Sequence, residues 1–572
     1  MKIALAQINP TVGALAANHD KIVDFARRAE VRGANLVVFP EMSICGYPAR
    51  DLMEKPDFVA DSLTWLQRAS AAVPNIAMIC GCGTPAAATT GKSVHNSLLV
   101  LRAGKVEFQQ SKMLLPTYDV FDELRTFAPA EQQRTWRWQP SDGGPGLRIA
   151  LTICEDAWND KNYWPQRQDR LLYARDPVAE QMRGGADLLI NISASPYSAG
   201  KLSLRQEMLG AIAREYDVPV VFVNQVGGND QLIFDGCSMV VASDGGIRAR
   251  AHCFEEDLLV ITAGDWCAEV RPLPGDDSEA MLEALILGTR DYVHKCGFED
   301  VLIGLSGGVD SAVTAAIAAE ALGAAHVRAI YMPSRFSSPQ SAVDAAAVAR
   351  ELGIALRTIS IEPLFECAEA TLVTSAAVGA DLARQNLQSR LRALVLMAES
   401  NLSGALVLAT GNKSELAMGY CTLYGDMAGG LSVLADVLKT QVYTLARRLN
   451  QRRPGIPQSV LDRAPTAELK PNQRDEDDLP PYPTLDAIIA AYVEHYETPA
   501  SIAGRLGLDT GDVAALIRRL DYSEYKRQQA APGLKVSAKA FGMGRRLPIA
   551  QRYAAPAVPG DQLPRQLASI ME

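Results

Sequence analysis

Short apolar runs, separated by polar and helix-like stretches, recur along the first half of the chain. Ile3-Ala4-Leu5-Ala6-Gln7-Ile8 predicts a strand over residues 2–8. A helical repeat over 18–32 follows, and Asn35-Leu36-Val37-Val38-Phe39 predicts a second strand. Further strands are expected at 76–81, 96–101, 105–109, 148–153, 186–192 and 219–224, with a helix over 202–216. Many strands with flanking helices imply stacked α/β layers.

The pattern changes in the second half. A strand at 299–305 precedes a helix at 311–322, a strand at 327–332, a helix at 340–352 and a strand at 354–361. A long helical region then runs to about 402, before a strand at 405–410. Strict alternation of this kind predicts an open parallel sheet with helices on both faces. Between the halves, Arg271-Pro272-Leu273-Pro274-Gly275-Asp276-Asp277 reads as a linker, with a helix starting near Ser278. A chain of 572 residues exceeds one core. The expected division is 1–270, linker 271–277, and 278–572.

Polar residues stand at the ends of apolar strands in the first half. Glu41 follows Val37-Val38-Phe39-Pro40, and Cys154 follows Ile149-Ala150-Leu151-Thr152-Ile153. Lys112 lies in Ser111-Lys112-Met113-Leu114-Leu115-Pro116. Singly, each has an ordinary reading: a surface lysine, a core thiol, a helix-capping acid. Together they suffice for amide hydrolysis, with Cys154 as nucleophile, Glu41 as proton carrier and Lys112 as oxyanion partner. A neighbouring ammonium would also favour the thiolate against its reference pKa of about 8.5.

Ser306-Gly307-Gly308-Val309-Asp310-Ser311 lies between the strand and the helix that open the second half. A strand, a glycine turn and a helix start form an anion site, because backbone N–H groups and the helix dipole converge there. Ser306 and Ser311 add hydroxyl donors. Asp310 would repel phosphate, and it makes sense if Mg²⁺ lies between them. The loop is neither a Walker loop nor Gly-x-Gly-x-x-Gly.

Composition narrows the classes. The chain has 56 basic and 66 acidic residues, a net charge of −10, which argues against a general polyanion binder and predicts no nucleic-acid partner. No apolar run approaches the ~20 residues of a spanning helix, so no membrane partner is expected. No secretory leader is read at the start, and the ten cysteines lack zinc-like pairs, so free thiols in a cytoplasmic protein are expected. Cys80 and Cys82 read as core residues of one strand. The basic stretch 523–552 lacks the interleaved aromatics of a nucleic-acid surface.

Phe39-Pro40-Glu41, Lys112-Met113-Leu114-Leu115-Pro116 and Cys154-Glu155-Asp156-Ala157-Trp158 together resemble the nitrilase, or carbon–nitrogen hydrolase, family over residues 1–265. The resemblance implies an α-β-β-α sandwich, a Glu41/Lys112/Cys154 triad, and a glutamine pocket including Tyr118, Ser195 and Lys201. Glu123 matches a further acid near the triad. Residues 159–183 look longer than the family's usual segment.

The hexapeptide resembles the pyrophosphate loop of ATP pyrophosphatases, and so implies an adenine-nucleotide α-hydrolase-like second domain. Gln385-Asn386-Leu387-Gln388-Ser389-Arg390, Ala409-Thr410-Gly411-Asn412-Lys413-Ser414-Glu415 and Tyr424-Gly425-Asp426 narrow the resemblance to glutamine-dependent NAD synthetases. It implies ATP at Gly304, Leu305, Ser306, Gly307, Gly308, Val309, Asp310, Ser311 and Thr410. It implies deamido-NAD at Asn386, Glu415 and Lys526, and Mg²⁺ at Asp310 and Glu415. Residues 474–482 would form an ordered acidic loop near that site. The implied reaction is amidation of deamido-NAD to NAD with ammonia from glutamine, giving glutamate, AMP and pyrophosphate. An internal route for ammonia and a homo-oligomer formed through the synthetase domain are also implied. Two alternatives stay open: another adenylating glutamine amidotransferase, or an amidase with a nucleotide-sensing domain.

Overall fold

The structure, a computed structural model, describes residues 1–86, 91–139, 146–164, 172–372 and 380–553. It divides into two compact units, Met1–Lys295 and Cys296–Glu572.

The first unit contains two six-stranded sheets. One runs in the order Asp257–Thr262, Lys2–Gln7, Leu36–Val38, Ala77–Pro85, Val94–Arg102, Lys105–Ser111. The other runs Ile247–Arg250, Met239–Val241, Val220–Asn224, Leu188–Ser193, Leu147–Ile153, Thr135–Trp138. Alternate residues of each strand face opposite layers. Ile3, Leu5, Val38 and Ile79 meet Ile149, Leu151, Ile190 and Val221 in the core between the sheets. Ala4, Ala6, Val37 and Met78 instead pack with Ile22, Phe25 and Leu66 of the helices Leu15–Val31 and Pro56–Ala72. On the far side, Ala150, Leu189 and Phe222 pack with Met208, Leu209 and Ile212 of the helix Lys201–Tyr216. This is the expected α-β-β-α sandwich. Burial on both faces explains why the strands read as continuous apolar runs.

Cys80 and Cys82 lie in the core of the strand Ala77–Pro85. The expectation of free thiols throughout fails at Cys237 and Cys253, which are disulfide-bonded. The helix Asp277–Lys295, beyond the proline-rich joint, packs on the hairpin Val226–Asn229/Leu232–Asp235. The compact division therefore falls after Lys295.

The second unit is built on a five-stranded sheet, ordered Ala355–Thr358, Val327–Tyr331, Val301–Gly304, Leu406–Ala409, Leu431–Ser432, with every pair parallel. The first strand in sequence lies at the centre. The chain builds outward on one side, then returns to the other through the helices Glu362–Leu372 and Ala380–Ser403. That reversal creates a switch point at the carboxyl ends of Val301–Gly304 and Leu406–Ala409, where open α/β sheets bind ligands. Among the described residues, no helix is long and apolar enough to cross a membrane.

Candidate active sites

In the first unit Glu41 and Lys112, which follow two strands of the first sheet, meet Glu123 of the short helix Glu123–Thr126 in one buried cluster. Glu41 follows the strand Leu36–Val38, at a bend so close to Gly81 that a Cβ there would lie 2.1 Å from the Met42 nitrogen. Only glycine fits that position. The Glu41 carboxylate accepts the Lys112 ammonium at 2.8 Å, the Asn96 amide at 2.7 Å and the Ala194 N–H at 2.8 Å. Asn96 also accepts the Lys112 N–H through its carbonyl, at 2.8 Å. Lys112 Nζ donates to Glu123 at 2.8 Å as well, and the Tyr47 hydroxyl donates to the same Glu123 oxygen at 2.8 Å.

Cys154 ends the strand Leu147–Ile153, and its φ of 45° is unusual for a side-chain-bearing residue. Its thiol is pushed up rather than down. Burial is the largest cause and Glu41 adds to it, while Lys112 opposes both. Burial and Glu41 thus oppose the thiolate that Lys112 favours. Burial also disfavours the Lys112 ammonium, but Glu123 and Glu41 outweigh it and keep the lysine charged. Burial raises Glu123 to about 7 against the pull of Lys112.

The other residues expected around glutamine come from neighbouring loops. Tyr118 donates its hydroxyl to Glu155 at 2.9 Å, and Tyr173 donates to the other Glu155 oxygen at 3.1 Å. Ser195 is held by Asn224, whose side chain accepts the Ser195 N–H at 2.9 Å. Lys201 opens the helix Lys201–Tyr216, donates to the Pro196 carbonyl at 2.9 Å and lies over the Trp158 ring. Residues 165–171, within the long 159–183 segment, lie outside the described residues.

In the second unit a cavity of about 700 Å³ opens at the switch point, lined among others by Gly304, Leu305, Ser306, Gly308, Val309, Asp310, Asn386, Thr410, Glu415 and Lys526. The two loop glycines do different work. Gly307 has φ +84°, and a Cβ on it would lie 2.5 Å from the Ser341 carbonyl oxygen. Gly308 is extended, at φ −89°, and leaves its surface open for close approach. Ser311 points into the loop: its hydroxyl donates to the Gly308 carbonyl at 2.9 Å and accepts the Ser306 N–H at 3.2 Å.

Asp310 and Glu415 meet a third group, Lys439, whose Nζ lies 2.5 Å from Asp310 and 3.2 Å from Glu415. Burial pulls the Lys439 ammonium down, but Asp310 and Glu415 more than restore it. Asn412 caps the helix Lys413–Met418, accepts the Glu415 N–H at 3.0 Å and donates to Asp310 at 3.0 Å. Glu415 is thus both a first-turn helix acid and a cavity wall. Asn386 accepts the Thr422 hydroxyl at 2.8 Å, and Lys526 donates to the Gly419 and Cys421 carbonyls. Asp475 and Asp478 of the acidic loop also line the cavity. Within the basic stretch, Arg527 and Arg545 both pair with Glu524.

The Carbon-nitrogen hydrolase family model matches residues 2–265, and the NAD synthase model matches residues 281–530. The Glutamine-dependent NAD(+) synthetase of Synechocystis is 46% identical over 565 residues, covering 96% of this chain and 99% of that protein. The chain belongs to the glutamine-dependent NAD(+) synthetase family. The Rhodobacter capsulatus synthetase is 39% identical over 96% of the chain and 98% of its own length. The Acinetobacter baumannii synthetase, solved with adenosine diphosphate, superposes with a TM-score of 0.72 at 35% identity, covering 97% of this chain and 99% of that one. The Cytophaga hutchinsonii synthetase shares the fold, with a TM-score of 0.79 at 21% identity over 96% of this chain and 98% of its own.

Within this synthetase fold, several polar residues at the two sites lie outside those expected from the sequence, among them Asn96, Tyr173, Glu155, Asp156, Tyr47 and Lys439. Glu155 and Asp156 stand beside Cys154 in the motif itself, so their position was the available signal. Tyr47 and Lys439 carry no local signal. They reach their sites only through tertiary structure, Lys439 from the start of the helix Lys439–Arg452.

Proposed function

We propose that the chain amidates deamido-NAD to NAD, using ATP and ammonia released from glutamine. The observation that carries this reading is the presence in one chain of two separate ionic centres, the first buried and the second half-buried in a cavity wall. One is Glu41/Lys112/Glu123 beside Cys154, and the other is Asp310/Glu415/Lys439 beside the glycine loop.

At the first centre, Cys154 Sγ attacks the glutamine side-chain carbonyl carbon as Glu41 takes the thiol proton. Lys112 holds the charge that develops on the carbonyl oxygen. Glu41 returns the proton to the departing nitrogen, ammonia leaves, and a γ-glutamyl thioester remains. Water, deprotonated by Glu41, releases glutamate and regenerates the thiol. Tyr118, Ser195 and Lys201 bind glutamine, Glu155 receives its α-ammonium, and Glu123 holds Lys112 in place.

At the second centre, a carboxylate oxygen of deamido-NAD attacks the α-phosphorus of ATP and pyrophosphate leaves. Ammonia then attacks the adenylated carbon, AMP departs, and the nitrogen gives up one proton to solvent to leave the carboxamide. Residues 304–311 and Thr410 hold ATP, with Gly307 and Ser311 shaping the loop from within. Asn386, Glu415 and Lys526 hold deamido-NAD. Asp310 and Glu415 suit Mg²⁺, since two carboxylates that already share an ammonium suit a cation completed by substrate phosphates. Among the described residues no cluster of three or more His, Cys, Asp or Glu is placed to hold a metal unaided. When bound, Mg²⁺ supplies charge neutralisation on the pyrophosphate.

The joint at 271–277 is proposed as the functional boundary, because the two matched family stretches end at 265 and begin at 281. Self-association through the second unit is supported by Leu394, Met397 and Leu402, exposed on the helix Ala380–Ser403. A cytoplasmic location belongs to the same reading. The whole is tested by supplying glutamine, ATP, Mg²⁺ and deamido-NAD and identifying products by mass. NAD with AMP and glutamate is expected. AMP without NAD points to another acceptor, and glutamate without ATP consumption to an amidase.

A further inference from the structure

Asp156 is used by none of the steps above, yet its carboxylate is almost wholly buried, at 1% exposure. One oxygen accepts the Met113 N–H at 3.1 Å and the Leu114 N–H at 2.9 Å. The other accepts the Ile153 N–H at 3.2 Å. Met113 directly follows Lys112, and Ile153 directly precedes Cys154. A single side chain therefore joins the segment that carries the ammonium to the strand end that carries the thiol.

We propose that Asp156 is a positioning residue for the amide-cleaving half-reaction, fixing Lys112 and Cys154 at one mutual distance. The inference rests on the glutaminase reading of the first unit. Cys154 has a left-handed backbone, a conformation that persists only where its surroundings over-determine it. Asp156 supplies part of that determination by closing the short turn Cys154–Ala157 onto Ile153. Met113 and Leu114 are buried, so their N–H groups need a partner inside the protein. Burial raises the Asp156 carboxyl to about 7, while the three amides and the Lys112 ammonium act in the opposite sense. An ionised carboxylate accepts all three N–H groups without placing a proton among donors. An asparagine cannot, because its NH₂ must face at least one backbone N–H.

The test uses the full-length chain carrying Asp156→Asn and, separately, Asp156→Ser. Three quantities are read: kcat and KM with glutamine, NAD formation from ammonium, and the rate at which iodoacetamide alkylates Cys154 across pH, followed by peptide mass. A positioning role predicts that kcat with glutamine falls about 100-fold, the scale of a 1 Å misplacement. KM stays near wild type, ammonium-driven synthesis is retained, and Cys154 alkylation slows. Unchanged kcat with glutamine overturns the proposal. So does a rise in KM alone, which would move Asp156 into the substrate pocket. Equal loss of both activities, or failure of both variants to fold, also overturns it, because the role claimed is local. If the wild type releases no glutamate from glutamine, the glutaminase reading itself has failed, a distinct result.

Discussion

Lys439 Nζ lies 2.5 Å from Asp310 Oδ2, inside the carboxylate pair proposed to hold Mg²⁺. The same ammonium reaches Glu415 at 3.2 Å. A cation entering between Asp310 and Glu415 must displace this lysine or share the carboxylates with it. Lys439→Met is therefore expected to tighten Mn²⁺ binding in the absence of nucleotide, read by electron paramagnetic resonance. The same change should lower ammonium-driven NAD formation by about 100-fold, the usual loss when one preorganised charge partner is removed. Unchanged Mn²⁺ affinity would contradict the competition.

Glu123 should leave a pH signature in stability. Burial raises its carboxyl from an ordinary 4.5 to about 7. Between those values the folded protein holds a proton that the unfolded chain has released, so this group's contribution to stability falls as pH rises through the window. Glu123→Gln removes the titration. The wild-type Tm should fall relative to that of the variant between about pH 4.5 and pH 7 and level off above. A constant difference, measured by calorimetry, would show that Glu123 does not titrate there.

Gly307 and Gly308 should respond differently to alanine. At Gly307 the added Cβ meets the Ser341 carbonyl at 2.5 Å, on a backbone at φ +84°. Gly307→Ala should cost about 1–3 kcal/mol of stability and weaken ATP binding. At Gly308 the nearest atom to a new Cβ is Ser306 Oγ at 3.4 Å, so the fold should tolerate alanine there while ATP binding weakens. Equal thermal shifts for the two variants, measured side by side, would contradict the assignment.

The strands that carry the sites were readable because burial on both faces makes them continuous apolar runs, as at Leu36–Val38 and Val301–Gly304. The hairpin Val226–Asn229/Leu232–Asp235 was not, since Val-Gly-Gly-Asn has neither period. Asp257–Thr262 carries the apolar run Leu258-Leu259-Val260-Ile261, and what the sequence does not show is its antiparallel pairing with Lys2–Gln7 across the whole unit. Glu41, Lys112 and Cys154 were legible because strand ends and short motifs mark them. Lys439 and Tyr47 were not, because each reaches its centre across distant sequence. Lys112 favours the Cys154 thiolate, as its place in the sequence pattern suggests, but it does not act alone. Desolvation and the Glu41 carboxylate oppose it.

The central claim is that one chain makes ammonia at Cys154 and spends it at the glycine loop. Cys154→Ala, assayed beside the wild type with ATP, Mg²⁺ and deamido-NAD, tests it most directly. The account predicts that the variant forms no NAD from glutamine and forms it at the wild-type rate from ammonium. NAD formation from glutamine by the variant, or its failure with ammonium as well, would contradict the account.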